Sequence, residues 1–426
     1  MLRLERLSQN EAFIGEGLTP YWVVLGSMMA LMVSNSSIMF YSFGVFLKPI
    51  SSEFGWSRGG MSLALSGTMI ATVIGAPIAG KLIDSLGIKR VMLPAIILFS
   101  LSFSAVSLTP SSLFTFIAIY SLVGLIASAN SPLPYAKVIS SRFNARRGLA
   151  LGLANIGTGL GATVVPPLAA WLVKTGGWRL GYVGLGALIF VIAFPSIAFL
   201  VGEPANVAGT AKQSAGIPGI NSRAVLHTAS FWRISASVFL LAVAVTGTIA
   251  HLPALLTDGG SGKTNVTAVL ATVGISSVVG RLVIGYLLDK FFAPYIASVA
   301  CLIALVSVVT LLIGTTGLYP FIGAAGLGIG VGAEGDIIGY FVGRYFGLRY
   351  YGEICGYLFS AFSAGAAVGP YILGACFDLT NSYNIALLAS AFGLVAAAIT
   401  FSLTGPYRFG DMSTAGIRGS SISRSA

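Results

Sequence analysis

Gly274–Lys290 reads GISSVVGRLVIGYLLDK, an apolar run interrupted by one arginine. Arg281 stands eight positions before Asp289. If a helix ends near Asp289 at a membrane surface, a rise of ~1.5 Å per residue sets Arg281 roughly 12 Å inside the hydrocarbon. A guanidinium at that depth costs at least ~2.5–3.5 kcal/mol on insertion scales, so it is expected to face a cavity and to have a task there. Holding an anion is the task that suits a permanently charged, forked donor.

The composition supplies the membrane. The chain is 56% hydrophobic and 9% charged, with a mean hydropathy of +0.90, far from the roughly 25% charged residues of soluble domains. Its 54 glycines among 426 residues fit helices that approach closely in lipid. At ~20 apolar residues per crossing the chain has room for about a dozen helices and little else. The net charge of +11 therefore reads as basic loops on one membrane face, and no nucleic-acid partner is expected. Cys301, Cys355 and Cys376 lie in apolar runs without ligand spacing, so neither a disulfide framework nor a metal site is expected. No cofactor is expected either. The first apolar segment is long enough to remain in the bilayer, so no cleaved signal is expected.

Twelve apolar segments can be marked: 21–48, 59–83, 91–109, 112–140, 148–173, 180–201, 232–256, 265–288, 293–315, 318–343, 353–377 and 384–404. The polar, Gly/Ala/Ser-rich stretch 202–230 is the one credible linker. It divides a first half, 1–201, from a second, 231–426, whose tail from Tyr407 is expected to be disordered. With the N-terminus inside, seventeen Lys and Arg fall on inner segments. Only Lys48, Arg58, Lys174, Arg179 and Lys263 fall on outer ones. The positive-inside bias places both termini in the cytoplasm.

The halves repeat each other. Gly75, Gly80 and Asp84 correspond to Gly280, Gly285 and Asp289 at an offset of 205; Gly148, Gly152, Gly161 and Pro166 correspond to Gly352, Gly356, Gly365 and Pro370 at 204. The expected fold is thus an all-α membrane protein of twelve transmembrane helices in two pseudo-symmetric six-helix bundles, with a site between them near the midplane. The first-half equivalent of Arg281 is Ala76, so the arginine breaks the symmetry, as a binding site would.

Gly80-Lys-Leu-Ile-Asp84-Ser-Leu-Gly87-Ile-Lys89-Arg90 resembles the loop motif of the major facilitator superfamily, with Ser85 in place of the usual basic residue; Gly285-Tyr-Leu-Leu-Asp289-Lys290 is a shortened second copy. Physically, an aspartate at a helix end near basic residues can latch the inner side and release as the halves rock. The stretch from Arg142 through Arg146, Arg147, Gly152 and Asn155 to Gly157 resembles the signature leading into the fifth helix of monocarboxylate transporters. That family's other signature survives only as Glu16-Gly17 and Trp22. The resemblance implies that Arg281 binds a substrate carboxylate. It also implies that Ser277 occupies a position often held by aspartate, and Tyr41 one often held by lysine. Neither proton-coupling group is then in its familiar place.

A replacement is sought on the tenth segment, where Glu334 and Asp336 stand in GVGAEGDIIGYFVGR. Glu334 lies ten residues before Arg344, or ~15 Å deep at helical rise. Burial and mutual repulsion oppose charge on both carboxylates, which makes either a candidate proton carrier; a plain ion pair with Arg281 is the competing reading. His251 is a candidate gate or pH sensor near the outer end of the seventh segment, or else a packed polar kink. Asn130 and Lys137 could add to the cavity, although Lys137 could equally snorkel to the inner surface. Tyr41, Tyr340, Tyr357 and Phe362 are candidate lining residues, with ordinary packing the alternative for each. Asp258-Gly-Gly-Ser-Gly262-Lys263-Thr264 lacks the leading glycine and preceding strand of a phosphate loop, so ATP drive is not expected.

Together these readings describe a carrier, not an enzyme. The expectation is a bacterial inner-membrane monomer that moves a small monocarboxylate by alternating access, with a proton. The alternatives are an anion exchanger without net proton movement, a proton-coupled exporter of drugs or other amphipaths, and a non-transporting sensor.

Overall fold

The computed structural model describes residues 20–143, 146–202, 219–260 and 263–409. Most of the expected linker, the tail beyond Phe409, the Glu16-Gly17 pair and the centre of the 258–264 loop lie outside the described residues.

Eleven helices in the described residues are long and apolar enough to cross a membrane. They are α1 (Tyr21–Phe54), α2 (Gly60–Leu86), α3 (Ile88–Leu108), α4 (Leu113–Arg142), a continuous Arg147–Leu200, α7 (Ala229–Asp258), α8 (Ala268–Lys290), α9 (Ala293–Ile313), α10 (Tyr319–Phe346), α11 (Tyr351–Thr380) and α12 (Asn384–Ser402). The continuous helix is two crossings, α5 (147–175) and α6 (178–200). Between them Gly176 leaves helical geometry and Gly177 takes φ +77°, a left-handed conformation that costs glycine little and other residues much. The twelve expected segments are thus present, with the fifth and sixth joined by a turn tight enough to merge them.

Local sequence sets the helix starts. Ser57 accepts from the Gly60 amide at 3.0 Å, Ser112 from Thr115 at 3.3 Å and Thr228 from Phe231 at 3.4 Å, each supplying an acceptor to an orphaned first-turn N–H. α1 is not continuous. It runs Pro20–Met32, widens to a π-helical turn over Ser36–Phe40 and resumes at Phe43–Phe54. Such breaks survive in a membrane only where side chains or cavities satisfy the freed backbone. Here Ser37 Oγ donates to the Leu31 carbonyl at 3.2 Å and Ser42 Oγ to that of Ile38 at 2.5 Å.

The halves meet along two helix pairs, α2 against α11 and α5 against α8. At Gly80 and Gly352 each backbone occupies the space of the other's missing Cβ, and Gly148 and Gly285 do the same on the other pair. Glycine at these four positions is what lets the helices touch. Hydrogen bonds between halves run from Asp84 and Asp289, at one end, only as far as Val73 and the Asn155–Asp336 level. Among the described residues none joins the halves nearer the opposite end. The described hydrogen bonds between the halves thus gather toward the Asp84/Asp289 end, which they close.

Candidate functional site

The closed end is built from two related latches. The Asp84 carboxylate accepts from the Gly352 amide at 2.9 Å and the Glu353 amide at 2.8 Å, at the start of α11. The Asp289 carboxylate accepts from Gly148 at 2.7 Å and Leu149 at 2.9 Å, at the start of α5. Each aspartate therefore caps a helix of the opposite half, where unpaired amides and the helix dipole favour negative charge. The 205-residue and 204-residue offsets in the sequence appear as this exchange of caps.

The balancing charges differ. Lys137 is buried and pairs with Asp84 at 2.7 Å, also donating to the Ile83 carbonyl at 3.3 Å. It neither snorkels nor enters the cavity, because a buried carboxylate within reach is the stronger partner. Asp289 instead feels Arg147 and Arg344. Arg147 is buried and donates to the Phe143 and Ser140 carbonyls at 3.2 and 3.1 Å. Gly87 holds the α2–α3 turn at φ +90°, and Lys89 donates to the Ala198 carbonyl at 2.7 Å, tying α3 to α6. Arg90 and Arg146 are exposed at this face.

Deeper in, Arg281 is 8% exposed. The lipid face of α8 is marked by Ile275, Val279, Val283 and Tyr286, 48–69% exposed. Gly280 abuts Ile329 of α10, while Val278 touches the Gly159 position of α5. Helical spacing puts Arg281 between those two contacts, on the side away from lipid. Its Nε has no hydrogen-bond partner among the described residues. Glu334 and Asp336 are both buried on α10 within range of its charge, yet neither forms an ion pair with it at contact distance. Glu334 Oε1 and Asp336 Oδ2 likewise lack partners. Asn155 Nδ2 of α5 donates to Asp336 Oδ1 at 2.6 Å, across the boundary between halves.

The two carboxylates do not share one spot. At 3.6 residues per turn, positions two apart lie roughly 200° around a helix. Accordingly Asp336 faces α5 while Glu334 acts on Cys301 of α9 and Tyr41 of α1. The expected mutual repulsion is replaced by separate dealings with Arg281. Tyr41, just past the π-helical turn, is 45% exposed and still feels Arg281 and Glu334. Solvent-accessible space therefore approaches the buried charges.

The structure brings Arg281, Glu334, Asp336 and Tyr41 together, with Ser277 one turn from Arg281 and bonded to its own helix at Gly274. It does not bring the other candidates there. Asn130 is fully engaged, donating to the Val33 carbonyl at 3.2 Å and accepting from Tyr135 at 2.6 Å. Tyr340 lies in the closed end, 5.5 Å from the Arg344 guanidinium. Tyr357 bonds Glu353 at 2.8 Å and lines a shallow groove with Phe231, Trp232 and Pro77. Phe362 packs edge-on to Phe359 at 6.3 Å. His251 is pinned at both ring nitrogens, Nε2 to the Pro370 carbonyl at 2.9 Å and Nδ1 to the Tyr383 hydroxyl at 3.3 Å. Asn155 is the residue that sequence reasoning passed over. Its signal was present, an amide three residues from Gly152 in a segment otherwise small and apolar.

Helical bundles of matching design, latched to each other at one end and with charge buried between them, have the build of a membrane transporter. The sequence profile of the Major Facilitator Superfamily matches residues 29–370, and the chain belongs to that family. Monocarboxylate transporter 13 of Bos taurus is 25% identical over 378 residues, covering 85% of this chain and 84% of that protein. The gallate transporter of Pseudomonas putida is 23% identical over 400 residues, covering 84% and 86%. Among solved structures, FucP in the outward conformation superposes with a TM-score of 0.68 at 14% identity, covering 90% of this chain and 98% of that one. Like other members of its family, the chain is a multi-pass carrier of small molecules and not an enzyme.

Proposed function

We propose that this protein is a secondary transporter of small organic anions, monocarboxylates in the first place, and that the anion moves with a proton. The observation that carries the reading is Arg281, a buried guanidinium with an unpartnered Nε, aimed between the halves and held by no carboxylate. A carboxylate substrate suits its fork, and low dielectric strengthens the pairing. Charge accounting supplies the proton. One guanidinium and two ionised carboxylates already sum to −1, and a bound monoanion would bring the site to −2. That state is costly at this depth unless a carboxylate is protonated. Glu334 and Asp336 are the proposed carriers. The relatives named as monocarboxylate and gallate transporters point the same way.

In this reading the 1–201 and 231–426 halves rock about the site, joined by 202–230. The Asp84/Asp289 end is cytoplasmic, as the basic loops indicate, so the two latches close the inner side. The protein sits in the cell membrane with both termini inside and works as a monomer. The test is uptake of labelled carboxylates by proteoliposomes under an inward proton gradient. Arg281→Ala is expected to abolish uptake. Arg281→Lys, which keeps charge but loses the fork, is expected to raise KM about tenfold, the equivalent of ~1.4 kcal/mol. Unimpaired uptake in Arg281→Ala, or transport of cationic amphipaths indifferent to carboxylates, overturns the reading in favour of an exporter.

A further inference from the structure

Three features meet at one point between the halves. Asn155 and Asp336 are 3% and 0% exposed. Their 2.6 Å hydrogen bond crosses from α5 to α10. The two oxygens left over, Asn155 Oδ1 and Asp336 Oδ2, are both buried and both lack a partner. Both are acceptors when the acid is ionised, so neither can satisfy the other. A carboxylic acid beside a primary amide is different: the amide N–H donates to one acid oxygen while the acid O–H donates back to the amide oxygen. One proton on Asp336 thus gives both stranded atoms a partner, and the partnership spans the halves.

We propose that Asn155 is a positioning residue that reports the protonation of Asp336 to the closed end: a protonated Asp336 holds α5 and α10 together, and its deprotonation loosens them. The surroundings support this assignment. Arg281 from α8 is the charged group that faces Asp336. Cys301 of α9 faces Glu334 instead. Lys137 of α4 is engaged by Asp84, and the Tyr351 hydroxyl of α11 bonds Gly339 at 2.7 Å. On α5, Arg147 lies beside Gly343, two turns further toward the closed end. No described acid or base other than Arg281 thus competes for the Asp336–Asn155 pair. The position on the chain also fits, since Gly152, one turn before Asn155, abuts the Arg281 backbone. A change in the α5–α10 bond is therefore felt where the substrate is held.

The inference rests on Asp336 taking up a proton, as proposed above, but not on the identity of the anion. It is tested without substrate. Nitroxide labels at Leu86→Cys and Phe291→Cys, exposed ends of α2 and α8, report separation of the halves in detergent or nanodiscs, with the native cysteines replaced by alanine. Raising the pH from 5 to 8 is expected to increase the long-distance fraction at least threefold in the otherwise unmodified protein. Asp336→Asn, a permanent amide partner, is expected to remain in the low-pH distribution throughout. Asn155→Leu is expected to show a high, pH-independent long fraction. Asn155→Asp, which sets two carboxylates to share a proton, is expected to move the response to higher pH. A pH response that persists in Asn155→Leu, or an Asp336→Asn that follows the parent, overturns the proposal. The distances are recorded without any carboxylate present and with Arg281 intact, so failure of carboxylates to bind and failure of the pH response are separate outcomes.

Discussion

Asp84→Asn isolates the strength of one latch. The carboxylate makes three contacts, two with amides of the other half at 2.9 and 2.8 Å and one with Lys137 of its own half at 2.7 Å. Only the first two are broken when the halves part, because Lys137 travels with Asp84. Asparagine keeps the shape and one acceptor oxygen but loses the charge and the second acceptor. A lost capping interaction costs about 0.5–2 kcal/mol, and removing charge from a helix N-terminus costs about 0.3–1 kcal/mol more. The closed end should weaken by roughly 1–2 kcal/mol, a shift of about 5–30-fold in the ratio of parted to latched molecules. The stranded Lys137 adds a cost of about 3–5 kcal/mol typical of broken buried pairs, but it falls largely on both states and appears as lower thermal stability. The same nitroxide pair at positions 86 and 291 measures the ratio, and a melting curve measures the stability. Unlatching without loss of stability, or loss of stability with an unchanged distance distribution, would refute the division of labour between the amides and the lysine.

Two further outcomes follow from the packing. Gly148→Ala sets a methyl group against the Gly285 carbonyl; transport is expected to fall more than tenfold while the protein stays folded, read as uptake against expression in the membrane. His251→Phe removes two hydrogen bonds that tie α7 to Pro370 and Tyr383, at about 0.5–1.5 kcal/mol each. A lower Tm with an unchanged pH profile of uptake is expected, and an altered profile would restore His251 as a pH sensor.

Much of the architecture was legible in the sequence because hydrocarbon imposes a long apolar run for each crossing and the duplicated glycines and aspartates mark equivalent places. Arg281 was legible for the same reason, being too costly to bury without cause. What could not be read was register between distant helices. Lys137 and Asp84 are 53 residues apart, and nothing in either segment says that they face each other. Glu334 and Asp336 look like neighbours in print, yet a helix turns them away from one another. Of the aromatic candidates, Tyr340, Tyr357 and Phe362 lie away from Arg281 for a different reason. Tyr340 and Tyr357 satisfy packing at the closed end as well as they would in a cavity, and their chemistry carries no address. The break in α1 at Ser36–Phe40 is composed of ordinary serine and apolar residues, so it too left no mark before the fold was known.

The crossed capping has a consequence for how the two lobes depend on each other. Neither lobe carries the anion that completes its own eleventh-or-fifth helix start; each borrows it from its twin. A lobe made alone would present bare amides at one helix tip and, at another, a carboxylate without the two amide donors it caps. The duplication is therefore not a redundancy. It is a mutual obligation, through which damage at the tip of α2 is registered first in α11 and damage at α8 in α5.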